Sequence, residues 1–405
     1  MSAAAQNEVG GSGENGLAIQ TSPRTNWRRQ FGLNEMGVYY ALLLLIVALT
    51  LITTYLGQAN YLSVQNLSNV VYQSSLTALM AVAMTVVLIS GNFDLSVASV
   101  AALAAVMLVG NADAIGFWPA VALAIFVAMS VGLLNGAIVQ FVGINAFIVT
   151  LGTMTAVRGL VLIYTDGRSL SASNPAVVAT MKSFEGGSHD GFWFLLVAGI
   201  ALLALGLAYA LRARSAEKPM RPVSLGMAGG GIALLFIVWA SGGTLPIRNP
   251  VIFLAIFTAL VWFTLGFTMV GRRIYAVGGN PEAARLSGIN VTGYKLLAFV
   301  FCSATAGFAG VLFASRLRSI NPSGLQGAEL TVIAAAILGG TSLFGGAGSV
   351  IKTLAGALLL YSLTNGFNIM NLGANWQGLI EGIVVVAAAA IYTVGNAKSK
   401  SKTGG

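Results

Sequence analysis

Charge is scarce in this chain. Asp, Glu, Lys and Arg make up 8% of its 405 residues, hydrophobic residues make up 57%, and the mean hydropathy is +0.84. Soluble domains carry about 25% charged residues, so the composition excludes an ordinary soluble globule and predicts a membrane protein. The net charge of +9 does not indicate nucleic-acid binding, because the basic residues lie mainly between apolar segments.

Cysteine and histidine occur once each. The single cysteine, Cys302, excludes an internal disulfide, and its apolar surroundings predict a small buried side chain. The single histidine, His189, lies beside Asp190 in a polar loop, and these two residues do not make a metal site. A cysteine that acts as a nucleophile needs a base nearby. The chain also shows no pair of carboxylates at the spacing of a catalytic acid and base. The sequence therefore predicts a protein that is not an enzyme, with no metal and no cofactor of its own.

A phosphate-binding loop in its proper context is also absent. Gly11 to Gly16 matches GxGxxG, but no strand precedes it and no helical pattern follows it. Gly346 to Thr353 (GAGSVIKT) approaches a phosphate-binding loop, but Ile351 replaces the second glycine. We therefore expect any nucleotide to be bound by another chain.

The first 36 residues lack the apolar core of a cleavable signal peptide and are polar and rich in Gly, Ser and Asn. The sequence predicts a disordered cytoplasmic tail over 1–37, and the first span is expected to act as the insertion signal. A single transmembrane domain is predicted over 38–395, followed by a basic cytoplasmic tail over 396–405.

Long apolar segments recur along that domain, each of roughly the 17–22 residues that cross a bilayer as a helix. Two of them, 95–111 and 329–345, are short and rich in Gly or Ala, so a broken or re-entrant helix is an alternative at each. The predicted fold is an all-α polytopic membrane helical bundle of about 10–12 transmembrane helices. The predicted spans are 38–57, 70–90, 95–111, 119–140, 144–165, 192–211, 225–241, 251–271, 294–315, 329–345, 350–370 and 376–394.

Lys and Arg predict the orientation. With both termini in the cytoplasm, the loops on that side hold 14 of the 21 basic residues, and the loops on the opposite side hold five. Cytoplasmic loops carry the excess of Lys and Arg in membrane proteins. The imbalance predicts that both termini and the segment 271–295 are cytoplasmic and that the number of spans is even.

The segment 271–295 is polar between two apolar spans, and it contains a short helix with both ends specified. Asn280 is a suitable N-cap, Pro281 suits the first helical position, and Glu282 complements the positive end of the helix dipole. Gly288 can end the helix in a left-handed conformation. The alternatives are an ordinary cytoplasmic loop and a helix that docks into another protein.

Polar residues at membrane depth are costly and often functional. Asp94 lies between two apolar segments, where it caps the next helix or lines a pathway. Arg158 lies within a predicted span, and Glu381 lies between Gly378 and Gly382, a close-packing spacing. The other candidates, for which interhelical hydrogen bonds are the alternative to solute contact, are Asn135, Asn365 and Asn368.

Four stretches in order resemble the monosaccharide-type ABC importer permeases. The resemblance covers roughly residues 60–394, most of the chain, and the extra pair of segments at 192–241 makes the chain most similar to the xylose permease branch of that family. The stretches are Gly271 to Asn290 (GRRIYAVGGNPEAARLSGIN), Gly91 to Val97 (GNFDLSV), Asn145 to Leu151 (NAFIVTL) with Arg158-Gly159, and Ala334 to Gly348.

The resemblance implies a permease subunit in the cell inner membrane that transports a monosaccharide, D-xylose or a related pentose or hexose. The implied partners are two ATPase subunits, which bind ATP, a periplasmic sugar-binding protein and a second copy of the permease. An ion-coupled secondary transporter, with Asp94 or Glu381 carrying the ion, is the alternative. The residues that the resemblance assigns to ATPase coupling are Asn280, Pro281, Glu282, Ala283, Ala284, Arg285, Leu286, Ser287 and Gly288.

Overall fold

The computed structural model describes residues 33–215 and 222–372, together with 376, 378, 379, 382, 383 and 386. Over these residues the chain forms fourteen α-helices. The first seven are α1 (Leu33–Tyr55), α2 (Val64–Ile89), α3 (Val97–Ile115), α4 (Phe117–Ala137, continued by a π-helical turn Ile138–Val142), α5 (Ala146–Thr165), α6 (Pro175–Gly186) and α7 (Phe192–Ser215). The others are α8 (Pro222–Ala240), α9 (Asn249–Phe267), α10 (Met269–Gly279), α11 (Pro281–Leu286), α12 (Val291–Leu317), α13 (Ala328–Leu338) and α14 (Val350–Ile369).

The predicted all-α polytopic bundle is confirmed. Among the described residues, nine helices are long and apolar enough to cross a membrane. The predicted span 329–345 contains only the 11-residue α13, as the broken-helix alternative anticipated, whereas 95–111 belongs to α3, a regular helix of 19 residues. Most of 376–394 lies outside the described residues, as do the two predicted tails apart from the residues that begin α1.

The structure also corrects the sequence prediction at two helices. The predicted span 251–271 ends at Phe267, and after Thr268 a separate helix, α10, covers much of the polar segment that was expected to be a loop. The prediction missed α6 between the spans ending near 165 and beginning near 192. Its start, Asn174-Pro175, repeats the Asn-Pro signal of α11, because Asn174 caps the helix by accepting from the amide of Ala176.

Helix α2 forms the centre of the bundle. Almost every residue from Val70 to Ile89 is buried, and α2 packs against α9, α12, α13 and α14. Helix α12 packs in turn on α3 and α4, and small residues permit these close crossings. A methyl group on Gly310 of α12, for instance, would overlap the backbone of Ala101 in α3. Since lipid offers no hydrogen bonds to the backbone, helices are the expected form of such apolar segments.

The loops gather at two ends in the grouping that the charge count predicts. At one end, two antiparallel strand pairs join β1 (Leu170–Ser171) to β4 (Ser319–Ile320) and β2 (Ser188–Asp190) to β3 (Pro246–Arg248). At the other end, the turn after α2 meets α10 and the turn after α13. We call these the outer end and the inner end, after the predicted orientation.

Helices α7 and α8 form a hairpin within the segment 192–241, where the sequence showed an extra pair of segments. In the described part of the chain, their extensive packing is with each other, and the β2–β3 pair joins them to the bundle. Asp190 secures this connection by accepting from the amides of Phe192 and Leu245. These two amides lower the pKa of the Asp190 carboxyl.

Candidate functional site

The capped helix predicted in 271–295 is present as α11. The side chain of Asn280 accepts from the amide of Ala283 at 3.0 Å, and Pro281 occupies the first turn. The helix ends at Ser287, and Gly288 has the expected left-handed conformation, with φ at +77°. A helix of six residues is not stable alone, so its neighbours must hold it.

Helix α11 is attached to the bundle by one face only. Ala284 is buried in a small apolar cluster with Val277 of α10 and Val291 of α12. Leu286 points away from this cluster and is 88% exposed, and Arg285 is also exposed. The helix therefore presents an apolar residue and a charged residue beyond the inner end of the bundle, as a docking element would.

A contact between glycines supports the base of α11. Gly91, Gly278, Gly345 and Gly346, which we call the glycine junction, bring the end of α10 into backbone contact with the turn after α2 and the turn after α13. A methyl group on Gly278 would overlap the carbonyl oxygen of Ile89, which accepts from the amide of Gly346 at 2.9 Å. These glycines belong to three separate stretches of the sequence, and only the fold shows that they meet.

Tyr275 of α10 reinforces the same contact. Its hydroxyl donates to the carbonyl oxygen of Gly348 at 2.9 Å. Burial raises the pKa of Tyr275, so the hydroxyl keeps the proton that this hydrogen bond needs. The base of α11 is therefore connected to the turn after α13 and to the end of α2.

Two of the predicted pathway residues meet inside the bundle. Asp94 is fully buried, and its Oδ1 accepts from the amide of Ser96 at 3.0 Å and from the Ser96 hydroxyl at 2.6 Å. The Ser96 hydroxyl accepts from Asn135 at 3.0 Å, and Oδ1 of Asn135 accepts from Thr153 at 2.7 Å. These hydrogen bonds connect the turn before α3 with α4 and α5.

The environment of Asp94 differs from the capping role expected of it. Ser96, not Asp94, occupies the N-cap position of α3, so Asp94 stabilises the turn before the helix and the cap prediction is wrong. Its Oδ2 is buried and has no hydrogen-bonding nitrogen or oxygen among the described residues, and the thiol of Cys302 faces the same carboxyl. Cys302 is buried, as the sequence predicted.

Arg158 of α5 lies apart from this network. Its guanidinium donates to the carbonyl oxygens of Pro322 and Gly324, at 3.1 and 3.0 Å, in the non-helical segment before α13. Glu329, in the first turn of α13, acts on it electrostatically. Arg158 thus binds carbonyl groups of an interrupted helix rather than joining Asp94.

The remaining candidates lie on α14 or beyond it. Asn365 has a buried Oδ1 with no hydrogen-bond partner among the described residues, and Asn368 lies near the end of the same helix. Neither belongs to the Asp94 network. Glu381 lies outside the described residues.

A polar cluster at the outer end was not foreseen from the sequence. Glu185 of α6 accepts from the hydroxyl of Tyr72 at 2.7 Å and pairs with Arg316 of α12 at 2.6 Å. The guanidinium groups of Arg316 and Arg248 lie over the Tyr72 ring, 4.1 and 4.2 Å from its centroid. The cluster fixes α6 and β3 to the outer ends of α2 and α12. Recognising α6 from its Asn-Pro start would have identified Glu185 as a candidate partner for a basic residue.

Within the described residues, no group of three His, Cys, Asp or Glu could hold a metal ion. His189 instead contacts Oδ1 of Asn249 at 3.0 Å at the outer end. The described polar residues therefore make hydrogen bonds and ion pairs within the protein, and this part of the chain contains no group of that kind for a metal ion.

Comparison with known proteins matches the sequence of this chain to a family. Residues 66–389 match the family model described as branched-chain amino acid transport system / permease component. The xylose transport system permease protein XylH of Escherichia coli K12 is 34% identical, over 92% of this chain and 95% of its own length. The ribose import permease protein RbsC of the same strain is 31% identical, over 92% of this chain and 98% of its own length.

A second xylose permease, from Haemophilus influenzae, is 32% identical over 86% of this chain and 95% of its own length. No solved structure matches the chain. The matched family covers most of the chain, and both xylose and ribose permeases align over nearly their whole lengths. This multi-pass membrane protein therefore belongs to the branched-chain amino acid transport system / permease component family, among its monosaccharide ABC permeases and near the xylose branch.

Proposed function

We propose that this chain forms the membrane pathway of an ATP-driven importer of a monosaccharide, D-xylose or a related pentose or hexose, in the cell inner membrane. Its partners are an ATPase subunit that binds ATP, a periplasmic sugar-binding protein and a second copy of the chain. The xylose preference is supported by the relatives named for xylose transport, although the ribose permease aligns nearly as well.

The observation that carries the proposal is the form of α11. Its Ala284 is buried against the bundle while Leu286 and Arg285 project beyond the inner end. ATP binding in the ATPase displaces α11, and the glycine junction passes that displacement to α2. The bundle then alternates between outward-open and inward-open states, as in other transporters with alternating access.

The second copy is supported by the exposed surface of α5. Arg158 is only partly buried at membrane depth, where a charged group facing lipid is costly. A methyl group on Gly152 or Gly159 of the same helix would have no other described atom within 4 Å. A polar and small-residue surface of this kind suits a contact with a second copy. The candidate residues for the pathway, which lie on several elements of the bundle, are Asp94, Asn135, Arg158, Asn365 and Asn368.

A double charge reversal on α11 tests the proposal. Glu282→Arg with Arg285→Glu is expected to lower the amount of co-purifying ATPase subunit about tenfold or more, because both side chains are exposed on the docking helix. Sugar uptake falls with it, while membrane insertion is unchanged.

The matched control reverses the exposed pair Asp166 and Arg168 at the outer end, which are 3.7 Å apart. Asp166→Arg with Arg168→Asp is expected to leave co-purification unchanged. Full association and uptake in the α11 variant would overturn the proposal.

A further inference from the structure

The turn after α13 carries the most exposed large apolar side chain at the inner end. Phe344 is 93% exposed, and Leu286 of α11 is 88% exposed. Single apolar residues are commonly exposed, but an aromatic ring in water lacks the large favourable free energy that its burial would provide. Phe344 lies in the turn that contacts the end of α10 at the glycine junction, and Leu286 lies on α11, which follows α10 after Asn280, so both exposed side chains belong to the inner end.

The turn of Phe344 and the base of α11 form a single rigid unit. The amide of Gly346 donates to Ile89, Tyr275 donates to Gly348, and the amide of Ser342 donates to the carbonyl oxygen of Ala347 at 2.9 Å. A methyl group on Gly346 would approach the Cα of Gly279 to 2.6 Å, so the backbones are in direct contact. A partner protein that binds Leu286 would therefore find Phe344 at a fixed position relative to its binding site.

We place this unit at the membrane surface, because it includes Gly278 of the polar segment 271–295. Helix α2 has 26 residues, about 39 Å at 1.5 Å per residue, which exceeds a hydrocarbon core of about 30 Å. The glycine junction packs on Ile89, the last residue of that helix. Phe344 therefore lies where a water-soluble protein can reach it.

Charge identifies the kind of partner. The segment 271–295 contains four basic residues and one acidic residue, Glu282, and the turn 339–348 contains no acid. Arg285, the neighbour of Leu286 in α11, is exposed, and so is Arg272 of α10. The complementary surface is an apolar pocket with an acidic rim, which a soluble subunit can present.

We propose that the turn Ser342–Gly346 is a second docking element for the ATPase subunit, with Phe344 inserted in a pocket of the same subunit that receives α11. This inference rests on the proposed function, since it assigns a second contact to the same partner. Two contacts on one rigid unit would convert a displacement of the ATPase into rotation of the inner end rather than a local bend of α11.

Cysteine labelling tests the contact directly. The one native cysteine, Cys302, is buried, so the unsubstituted chain serves as the control for background labelling. Phe344→Cys, Leu286→Cys and the outer-end control Leu62→Cys, at a position that is 51% exposed, are labelled with a water-soluble maleimide in open membrane fragments, where both faces are accessible, with and without the ATPase subunit. We expect the subunit to slow labelling at 344 and 286 about fivefold or more and to leave 62 unchanged.

Each other outcome has a definite meaning. Protection at 286 without protection at 344 overturns the second docking element and leaves the proposed function standing. Protection at neither position contradicts the proposed function itself. Protection at 344 without the subunit, in vesicles that contain anionic lipid or at high concentrations of the chain alone, assigns the turn to lipid or to a second copy and overturns the inference.

Phe344→Asp provides a second measurement. It is expected to reduce ATPase co-purification about fivefold or more, because a carboxylate opposes an acidic rim and removes the aromatic anchor. Phe344→Trp keeps an aromatic ring and is expected to retain the subunit. Equal retention by both variants would contradict the inference.

Discussion

Asp94 illustrates how burial decides what a residue can do. It is fully buried, it takes part in neither of the two ion pairs found among the described residues, and it accepts two hydrogen bonds from Ser96. A charged carboxylate without a cation is costly in such surroundings, so a neutral carboxylic acid fits the site better. Its role is then to hold the turn before α3 beside Asn135, and an ion-coupled transporter would need it to change charge.

Replacement of Asp94 by asparagine is therefore expected to be tolerated. The amide side chain of the Asp94→Asn variant would keep an oxygen that accepts from Ser96, so sugar uptake should stay within about threefold of the unsubstituted chain. Asp94→Leu removes that acceptor and should reduce the yield of folded protein. Complete loss of uptake in a well-folded Asp94→Asn variant would favour ion coupling at this residue.

The ion pair of Glu185 and Arg316 leads to a prediction about stability, also at the scale of single residues. Their side chains are 4% and 18% exposed, so Glu185→Ala leaves a nearly buried guanidinium unpaired. We expect the free energy of unfolding in detergent to fall by about 3 kcal/mol. Asp166→Ala is the control, because its pair with Arg168 is 87% and 83% exposed and should contribute little. Equal effects of the two substitutions would refute the structural role of Glu185.

Among the elements, α11 and the glycine junction show where local sequence suffices and where it does not. Asn280, Pro281 and Gly288 specify α11 through capping rules that act within a few residues, so its ends were predictable. Gly278 and Gly346 are 68 positions apart, and only tertiary packing brings them together. The same limit explains why the network of Asp94 and Asn135 was not foreseen, although each residue was singled out.

Adjacent glycines give a matched test of the junction. Gly278→Ala places a methyl group into the carbonyl oxygen of Ile89, whereas in Gly279→Ala the methyl lies 3.8 Å from Gly346, an ordinary contact. We expect Gly278→Ala to lower ATP-driven uptake about tenfold or more, by displacing α10, and with it α11, from the end of α2, and Gly279→Ala to be nearly neutral. Uptake and thermal stability would be measured together. Similar behaviour of both variants would mean that the junction does not transmit motion.

At the scale of the whole molecule, composition and hydropathy predicted an all-α membrane bundle, because length and apolarity determine which segments cross a bilayer. They failed at α6 and α10, because helices of 12 and 11 residues that contain polar side chains do not stand out as membrane spans. The basic residues of the loops predicted which loops lie at the same end of the bundle. The strand pairs and the glycine junction each join loops that were predicted to lie at one end. Pairing across the outer end, as between Tyr72 and Glu185, depends on packing that no local pattern encodes.

The molecule combines a bundle centred on α2, a polar network within it, and a rigid inner end that we propose receives force from another chain. In the mechanism that we propose, another chain hydrolyses ATP and this chain forms the path for the sugar. Sugar movement is then expected to depend on ATP hydrolysis by a partner engaged at α11.

Reconstituted uptake tests that dependence most directly. The purified chain is placed in proteoliposomes, and labelled D-xylose or ribose uptake is measured with a proton or sodium gradient alone, and then with the ATPase subunit, the sugar-binding protein and ATP. We predict accumulation only in the complete system, with its loss in the Glu282→Arg, Arg285→Glu variant. Accumulation of sugar by the chain alone, driven by an ion gradient, would contradict the need for a partner ATPase.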